Sequence, residues 1–176
     1  MEAIYAVDLK GGLSKDGKIP WKSKKDLTFF ANKTMYNVVI MGKNTYFSLP
    51  EKYRPLKNRL NIVLTSNPDV YKNTEEKIKN NNLVFTDYDK IYNALISERE
   101  KIVKSHPYLH SNFKIFFIGG KTIYEKFIPL CNKVWVTKIK KDYDCDLYFN
   151  YEFKLQFNKS QIIDDNNELQ ICLYER

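Results

Sequence analysis

The chain has 176 residues, 43% of them apolar or aromatic and 28% charged, which suits one compact domain with a core that needs no staples. Twenty-nine Lys and Arg against 21 Asp and Glu leave a net charge of +8, favouring anionic partners without choosing among nucleic acid, acidic membrane and phosphorylated or carboxylated small molecules. No run of about 18 apolar residues exists to span a membrane, the start MEAIYAVDLKGG lacks a basic-then-apolar leader, and three scattered cysteines, Cys131, Cys145 and Cys172, read as reduced thiols of a cytoplasmic protein.

Ala3–Val7 reads as a first strand, followed by a polar, glycine-bearing loop over Lys10–Lys18. Pro20 in Ile19-Pro20-Trp21 disfavours helix before it. Lys24–Thr34 has helical spacing, with Leu27, Phe30 and Thr34 on one face. Val38–Met41 is a continuous apolar run stopped by Gly42, the pattern of a strand buried on both faces. A short helix is expected over Thr45–Leu49, then a strand over Asn61–Leu64 and a turn at Thr65-Ser66-Asn67-Pro68. The polar stretch Tyr71–Asn82 reads as a surface excursion, Leu83–Phe85 as a short strand, and Lys90–Val103 as one helix. Ser105–Asn112 reads as irregular. Ile115–Ile118 carries the strongest strand signal, cut by Gly119-Gly120 and followed by a helix over Thr122–Phe127. Val134–Ile139 is a strand, and Phe153–Asn158 with Leu169–Tyr174 reads as an antiparallel pair. Strands alternating with helices, without repeats or linkers, predict an α/β fold with a mostly parallel sheet and a late hairpin at its edge.

Two places share one design. Val39-Ile40-Met41-Gly42-Lys43-Asn44-Thr45 and Phe117-Ile118-Gly119-Gly120-Lys121-Thr122 both run strand, glycine, lysine, helix start. A helix start offers unsatisfied backbone N–H groups and the positive end of a dipole, and glycine lets a ligand approach the backbone closely. One such turn is ordinary; two in a small sheet suggest a ligand with more than one anionic group, such as a dinucleotide. Neither is a P-loop, because Ile115 and Asn37 stand where the first glycine belongs, and no GxGxxG follows the first strand.

Asp26 and Phe30, four apart on the Lys24–Thr34 helix, share a side. Asp26 in a first turn complements the helix dipole; alternatively it is a partly buried carboxylate taking two parallel N–H bonds from an amidine-like ligand edge. Arginine is scarce, so Arg59 just before a buried strand suits planar carboxylate recognition, against a simple solvated charge. His106 and His110 stand four apart, but Pro107 between them and the lack of completing ligands argue against a metal.

These residues, in this order, resemble the dihydrofolate reductase family. Ile19-Pro20-Trp21, Asp26-Leu27 and Phe29-Phe30 with Thr34 match its substrate loop and helix; Val39 through Thr45 matches its first cofactor turn. Arg54-Pro55-Leu56 through Arg59 and Asn61 through Thr65 match the next segment, Phe117 through Gly120 with Ile123-Tyr124 the second cofactor turn, and Thr137 with Asp146 and Phe149 the closing strands. The resemblance implies one dihydrofolate reductase-like domain over residues 1–176, a mostly parallel sheet with an antiparallel C-terminal hairpin and helices on both faces. It implies reduction of 7,8-dihydrofolate to tetrahydrofolate by hydride transfer from NADPH C4 to pterin C6 with protonation of N5, supplying one-carbon metabolism. The catalytic residues would be Asp26, Trp21 and Thr137. Ala6, Phe30, Leu49, Leu56, Arg59, Ile118 and Tyr124 would bind substrate, with Arg59 on the glutamate α-carboxylate. Ala6, Gly42, Lys43, Asn44, Thr45, Leu64, Thr65, Ser66, Gly119, Gly120, Lys121, Thr122 and Ile123 would bind the cofactor, with Lys43, Thr65 and Ser66 near the 2′-phosphate. No metal, membrane or nucleic acid is required, and a cytoplasmic monomer is expected. A reductase of a related pteridine or pyrimidine competes with this reading, as does a basic nucleic-acid-binding module. The module would need aromatics and lysines interleaved on one exposed face.

Overall fold

A computed structural model describes residues 1–176. In chain order the strands are β1 (Glu2–Val7), β2 (Gly12–Ser14), β3 (Val38–Gly42), β4 (Leu60–Leu64), β5 (Leu83–Thr86), β6 (Ile115–Phe117), β7 (Lys133–Ile139), β8 (Leu147–Tyr148), β9 (Lys159–Asp165) and β10 (Leu169–Glu175). The α-helices are α1 (Lys24–Thr34), α2 (Lys43–Ser48), α3 (Glu75–Lys79), α4 (Ile91–Ser97), α5 (Arg99–Ser105) and α6 (Lys121–Phe127). The chain divides into two compact units, Met1–Lys33 with Lys121–Arg176, and Thr34–Gly120.

In the Thr34–Gly120 unit, β3 pairs in parallel with both β4 and β6, and β4 with β5. Val38, Val39, Ile40, Met41, Val63 and Phe117 are wholly shielded from solvent. Such β-branched and aromatic runs without polar alternation belong to strands covered on both faces. α2 begins at Lys43, two residues earlier than the sequence suggests, because Gly42 already sits in the extended N-cap conformation. The expected surface excursion holds a short helix, α3, whose Thr74 cap accepts the Lys77 N–H. The expected single helix over Lys90–Val103 is two. Leu95 anchors α4 in the core, while the Arg99 guanidinium lies 4.1 Å over the Phe113 ring and donates to the Phe113 carbonyl, so the two halves are tied down separately and the chain breaks at Glu98.

In the other unit, β1 pairs in parallel with β7, and β10 runs antiparallel to both β7 and β9. The glycine-bearing loop contains β2, paired with β8. The C-terminal hairpin exists, but its first strand is Lys159–Asp165 rather than Phe153–Asn158. The Phe153 ring stacks on Tyr174 at 3.9 Å and Phe157 is buried, so the apolar residues of that segment pack as a compact turn. The true partner strand, KSQIIDD, is exposed along its whole length and bulged against β10, hence without the apolar alternation by which a half-buried strand announces itself. α1 matches the expected span, yet Leu27 is 67% exposed and the buried residue is Thr34. No helix is long and apolar enough to cross a membrane.

Candidate active site

Asp26 is placed by the start of α1. Ser23, buried just before the helix, accepts the Asp26 N–H on its hydroxyl at 3.2 Å and the Leu27 N–H on its carbonyl at 3.0 Å. This is an N-cap arrangement, and it presents the acid on the first turn. The indole N–H of Trp21 donates to Asp26 Oδ2 over a long 3.4 Å, and the Thr137 hydroxyl hydrogen-bonds the same carboxyl group. Burial raises the Asp26 pKa; the Trp21 and Thr137 bonds pull it back without cancelling the rise, and the charge of Glu168 adds to it. Trp21 itself is buried in a cluster with Ile139, Cys145, Leu169 and Ile171, against which Ala6, Phe29 and Tyr143 pack. Ala6 lies in register beside Thr137 on the neighbouring strand. The acid is thus half-buried, oriented from two sides and next to the end of β1. A carboxylate so placed can accept paired N–H donors and exchange protons closer to neutrality than a solvated one.

Tyr124 lies deeper than a ligand-contacting group would suggest. It is buried, its hydroxyl donates to the Ile4 carbonyl at 3.1 Å, and its ring lies 5.0 Å from Tyr5 and stacks on Phe149. Ile123 is likewise buried, whereas Thr122 is exposed and Lys121 forms a 4.0 Å ion pair with Glu125 along α6. Phe30 is half-buried on α1.

The Thr34–Gly120 unit holds both glycine corners. The Gly42 N–H donates to the Gly119 carbonyl at 2.8 Å, and the Ile118 N–H to the Ile40 carbonyl at 3.0 Å, so the ends of β3 and β6 meet. Gly119 has φ +120°, a region that excludes ordinary side chains, and the Gly119–Gly120 peptide is cis. A Cβ on Gly120 would come within 3.3 Å of Thr45 Oγ1. No side chain caps α2, leaving its first N–H groups open to an anion beside the exposed Lys43 and Asn44. Leu64 and Thr65 are half-buried at the end of β4 and Ser66 is exposed; no acid lies among these residues. That set fits a pyrophosphate and a further phosphate. Leu49 is half-buried and Leu56 buried. Arg59 is buried, its Nε donating to the Lys57 carbonyl at 3.0 Å and its Nη1 to Thr34 Oγ1 at 3.0 Å. It is a fixed guanidinium, not the flexible surface charge that its lysine-rich surroundings suggest.

An open groove of about 750 Å³ along α1 and the β9–β10 hairpin, lined by Lys24, Lys25, Phe29 and Ile163 among others, contains none of the expected site residues. Sequence reasoning missed Ser23, Asp8 and Tyr143. Asp8 carried a signal, an acid followed by Gly11-Gly12 directly after a strand, the pattern of an Asx-type turn.

A family model described as dihydrofolate reductase matches residues 1–176. The chain is 35% identical over 156 residues to a dihydrofolate reductase of Heliothis virescens, covering 84% of this chain and 77% of that one. It is 31% identical over 166 residues to a dihydrofolate reductase of Ureaplasma parvum, covering 94% and 92%. A solved structure of dihydrofolate reductase from Enterococcus faecalis, complexed with NADP(H) and RAB-propyl, superposes with a TM-score of 0.69 at 25% identity, covering 99% of this chain and 95% of that one.

Proposed function

The chain belongs to the dihydrofolate reductase family, whose members reduce dihydrofolate to tetrahydrofolate with NADPH, and we propose that Asp26 is the group that governs the proton in that reaction. The observation that carries this is the half-buried carboxylate, its pKa raised by burial, held between Trp21 and Thr137. In its ionised form it accepts two N–H donors from the amino-pyrimidine edge of the pterin, a bidentate pairing that fixes ring orientation. Its negative charge beside the ring favours a proton on N5, delivered directly or through water. Thr137 and Trp21 occupy the remaining lone-pair directions and hold the carboxylate plane still. Ala6 and Ile118 offer backbone carbonyls to the pterin, while Phe30, Leu49 and Leu56 pack on the aminobenzoyl ring. Tyr124, expected to bind substrate, takes a supporting place instead, since its ring packs on Tyr5 and Phe149 and its hydroxyl is engaged by Ile4. Arg59, immobilised by Lys57 and Thr34, receives the glutamate α-carboxylate in the planar fork that lysine lacks.

Gly42, Gly119, Gly120, Thr45 and the open start of α2 suit the pyrophosphate of NADPH, with Asn44 and Leu64 in the same unit; the family resemblance assigns Lys121, Thr122 and Ile123 to the cofactor as well. Lys43, Thr65 and Ser66 suit the 2′-phosphate, and the lack of an acid among them supports NADPH over NADH. Bound there, NADPH supplies the hydride; the chain's own part is proximity and electrostatics. The three unbridged cysteines support a cytoplasmic setting. The whole-length family match disfavours both the related-ring reductase and the nucleic-acid module.

The test is NADPH oxidation with dihydrofolate as substrate. Asp26→Asn should lose about a hundredfold or more in turnover at neutral pH, with partial recovery at acid pH, where substrate arrives protonated. Undiminished turnover at neutral pH would remove Asp26 from the mechanism.

A further inference from the structure

Asp8 lies one residue beyond β1 and is 0% exposed, yet the roles above leave it idle. A buried acid without a reaction to perform must be holding something. Its Oδ1 accepts the Lys10 N–H at 2.9 Å and the Gly12 N–H at 2.8 Å, and its Oδ2 accepts the Tyr143 N–H at 3.0 Å. The Cys145 thiol completes the set. One carboxylate therefore grips two separate segments, the loop that follows β1 and the segment that joins β7 to β8.

The two segments meet closely along their length. Gly12 passes so near Cys145 that a Cβ there would lie 2.4 Å from the Cys145 Cβ, and the Asp146 N–H donates to the Ser14 carbonyl at 3.1 Å. Asp146 Oδ2 accepts the Asp16 N–H at 2.9 Å, and Lys10 pairs with Asp142 at 3.1 Å. Among the charged groups in these contacts Asp8 is the buried one, and it leads inward. The Tyr143 ring lies 5.8 Å from the Trp21 ring, and both pack in the cluster that includes Cys145. The Trp21 indole N–H is the one that reaches Asp26.

We propose that Asp8 is a positioning residue for the reductase reaction, which by gripping Tyr143 and Cys145 sets the pose of Trp21 and so the hydrogen bond that Trp21 gives to Asp26. This rests on the reading of Asp26 as the group that governs the proton. The linkage runs through contiguous contacts: Asp8 to the Tyr143 backbone, the Tyr143 ring to the indole, the indole to the carboxylate. Burial alone would raise the Asp8 pKa, but the three N–H donors and the thiol outweigh it and lower it, so Asp8 remains an ionised acceptor at neutral pH.

Asp8→Asn swaps one acceptor for an N–H₂ that faces a backbone N–H, and should loosen Tyr143. Turnover should then fall about tenfold to a hundredfold, as for a misplaced group remote from the chemistry. The KM for NADPH should change less than about twofold, since no cofactor contact is touched. The pH–rate profile should move to higher pH, because Asp26 loses the indole bond that lowers its pKa while the Glu168 charge persists. In a Trp135→Phe background, where Trp21 is the sole indole, the emission should shift.

Tyr143→Ala, which leaves the Asp8 carboxylate in place, should reproduce the profile shift; Tyr143→Phe should not. The double variant Asp8→Asn with Tyr143→Ala should be no worse than the poorer single one. If Asp8→Asn and Tyr143→Ala lower only thermal stability, leaving the pH profile and Trp21 emission unmoved, Asp8 is a structural acid and the inference is overturned. Asp26→Asn, assayed alongside, keeps the two ideas apart. Full activity there sinks the reading of Asp26 itself, whereas lost activity there with unmoved Asp8 and Tyr143 variants sinks the positioning role alone.

Discussion

Asp8 and Asp26 carry the same functional group into opposite environments. At Asp8 three backbone N–H donors and a thiol overcome burial; at Asp26 burial overcomes two side-chain donors. Counting donors against desolvation decides the direction in each case. Asp26 was legible from its place before Phe30 and after Trp21, whereas only the Lys10 and Gly12 donors of Asp8 are local, and those from Tyr143 and Cys145 lie far along the chain and could not be counted from the sequence. Arg59 shows the same division. Its scarcity among lysines marks it, but its immobilisation by Lys57 and Thr34 is tertiary. On the proposal that Arg59 clamps the glutamate α-carboxylate, a group remote from the reacting bond, Arg59→Ala should raise the KM for dihydrofolate about tenfold or more while turnover changes little. Steady-state kinetics checks this, and a fall confined to turnover would place the clamp elsewhere.

At the scale of elements, α1 came out of the sequence intact because Leu27, Phe30 and Thr34 keep one helical period, although the Ser23 cap that fixes its start went unread. Ser23→Ala should therefore cost about 1 kcal/mol, the usual worth of an N-cap, seen as a fall in Tm of about 2–4 °C for a chain of this size. Thermal unfolding followed by circular dichroism measures it, and a Tm equal to wild type would mean the cap is replaced by solvent. The elements that were misread failed for definite reasons. β9 is an exposed, charged edge strand with no apolar face to reveal it. The break between α4 and α5 has no glycine or proline and is imposed by Arg99 reaching Phe113. β2 is too short to carry a pattern and exists because β8 pairs with it.

Across the whole molecule the two aspartates pull the pH dependence of folding in opposite directions. The folded pKa of Asp26 lies above the ordinary 3.8, so its contribution to stability is complete below that value and is lost as pH rises through the folded pKa. The folded pKa of Asp8 lies below 3.8, so its contribution is present above 3.8 and is lost as pH falls through the folded pKa. Urea unfolding at about pH 7 should thus find Asp26→Asn more stable than wild type and Asp8→Asn less stable, with both differences shrinking in acid. A less stable Asp26→Asn protein at neutral pH would contradict the burial cost assigned to that carboxylate. A fold that gains stability when the Asp26 charge is removed fits the proposal that this acid is kept for chemistry rather than for folding.

By itself the sequence determined the parallel strand cores, the two glycine corners, the helix that bears Asp26 and the family to which they belong. Each is written in local pattern: continuous apolar runs, glycine before lysine at a helix start, an acid four residues before an aromatic ring. Only the tertiary structure decided that Asp8 grips Tyr143, that Tyr124 turns its hydroxyl to Ile4, that Arg59 is locked and that β9 closes the hairpin. Those outcomes depend on which distant backbone groups need a partner once the core has closed, and a hydrogen bond between residues far apart in the chain leaves no period in it.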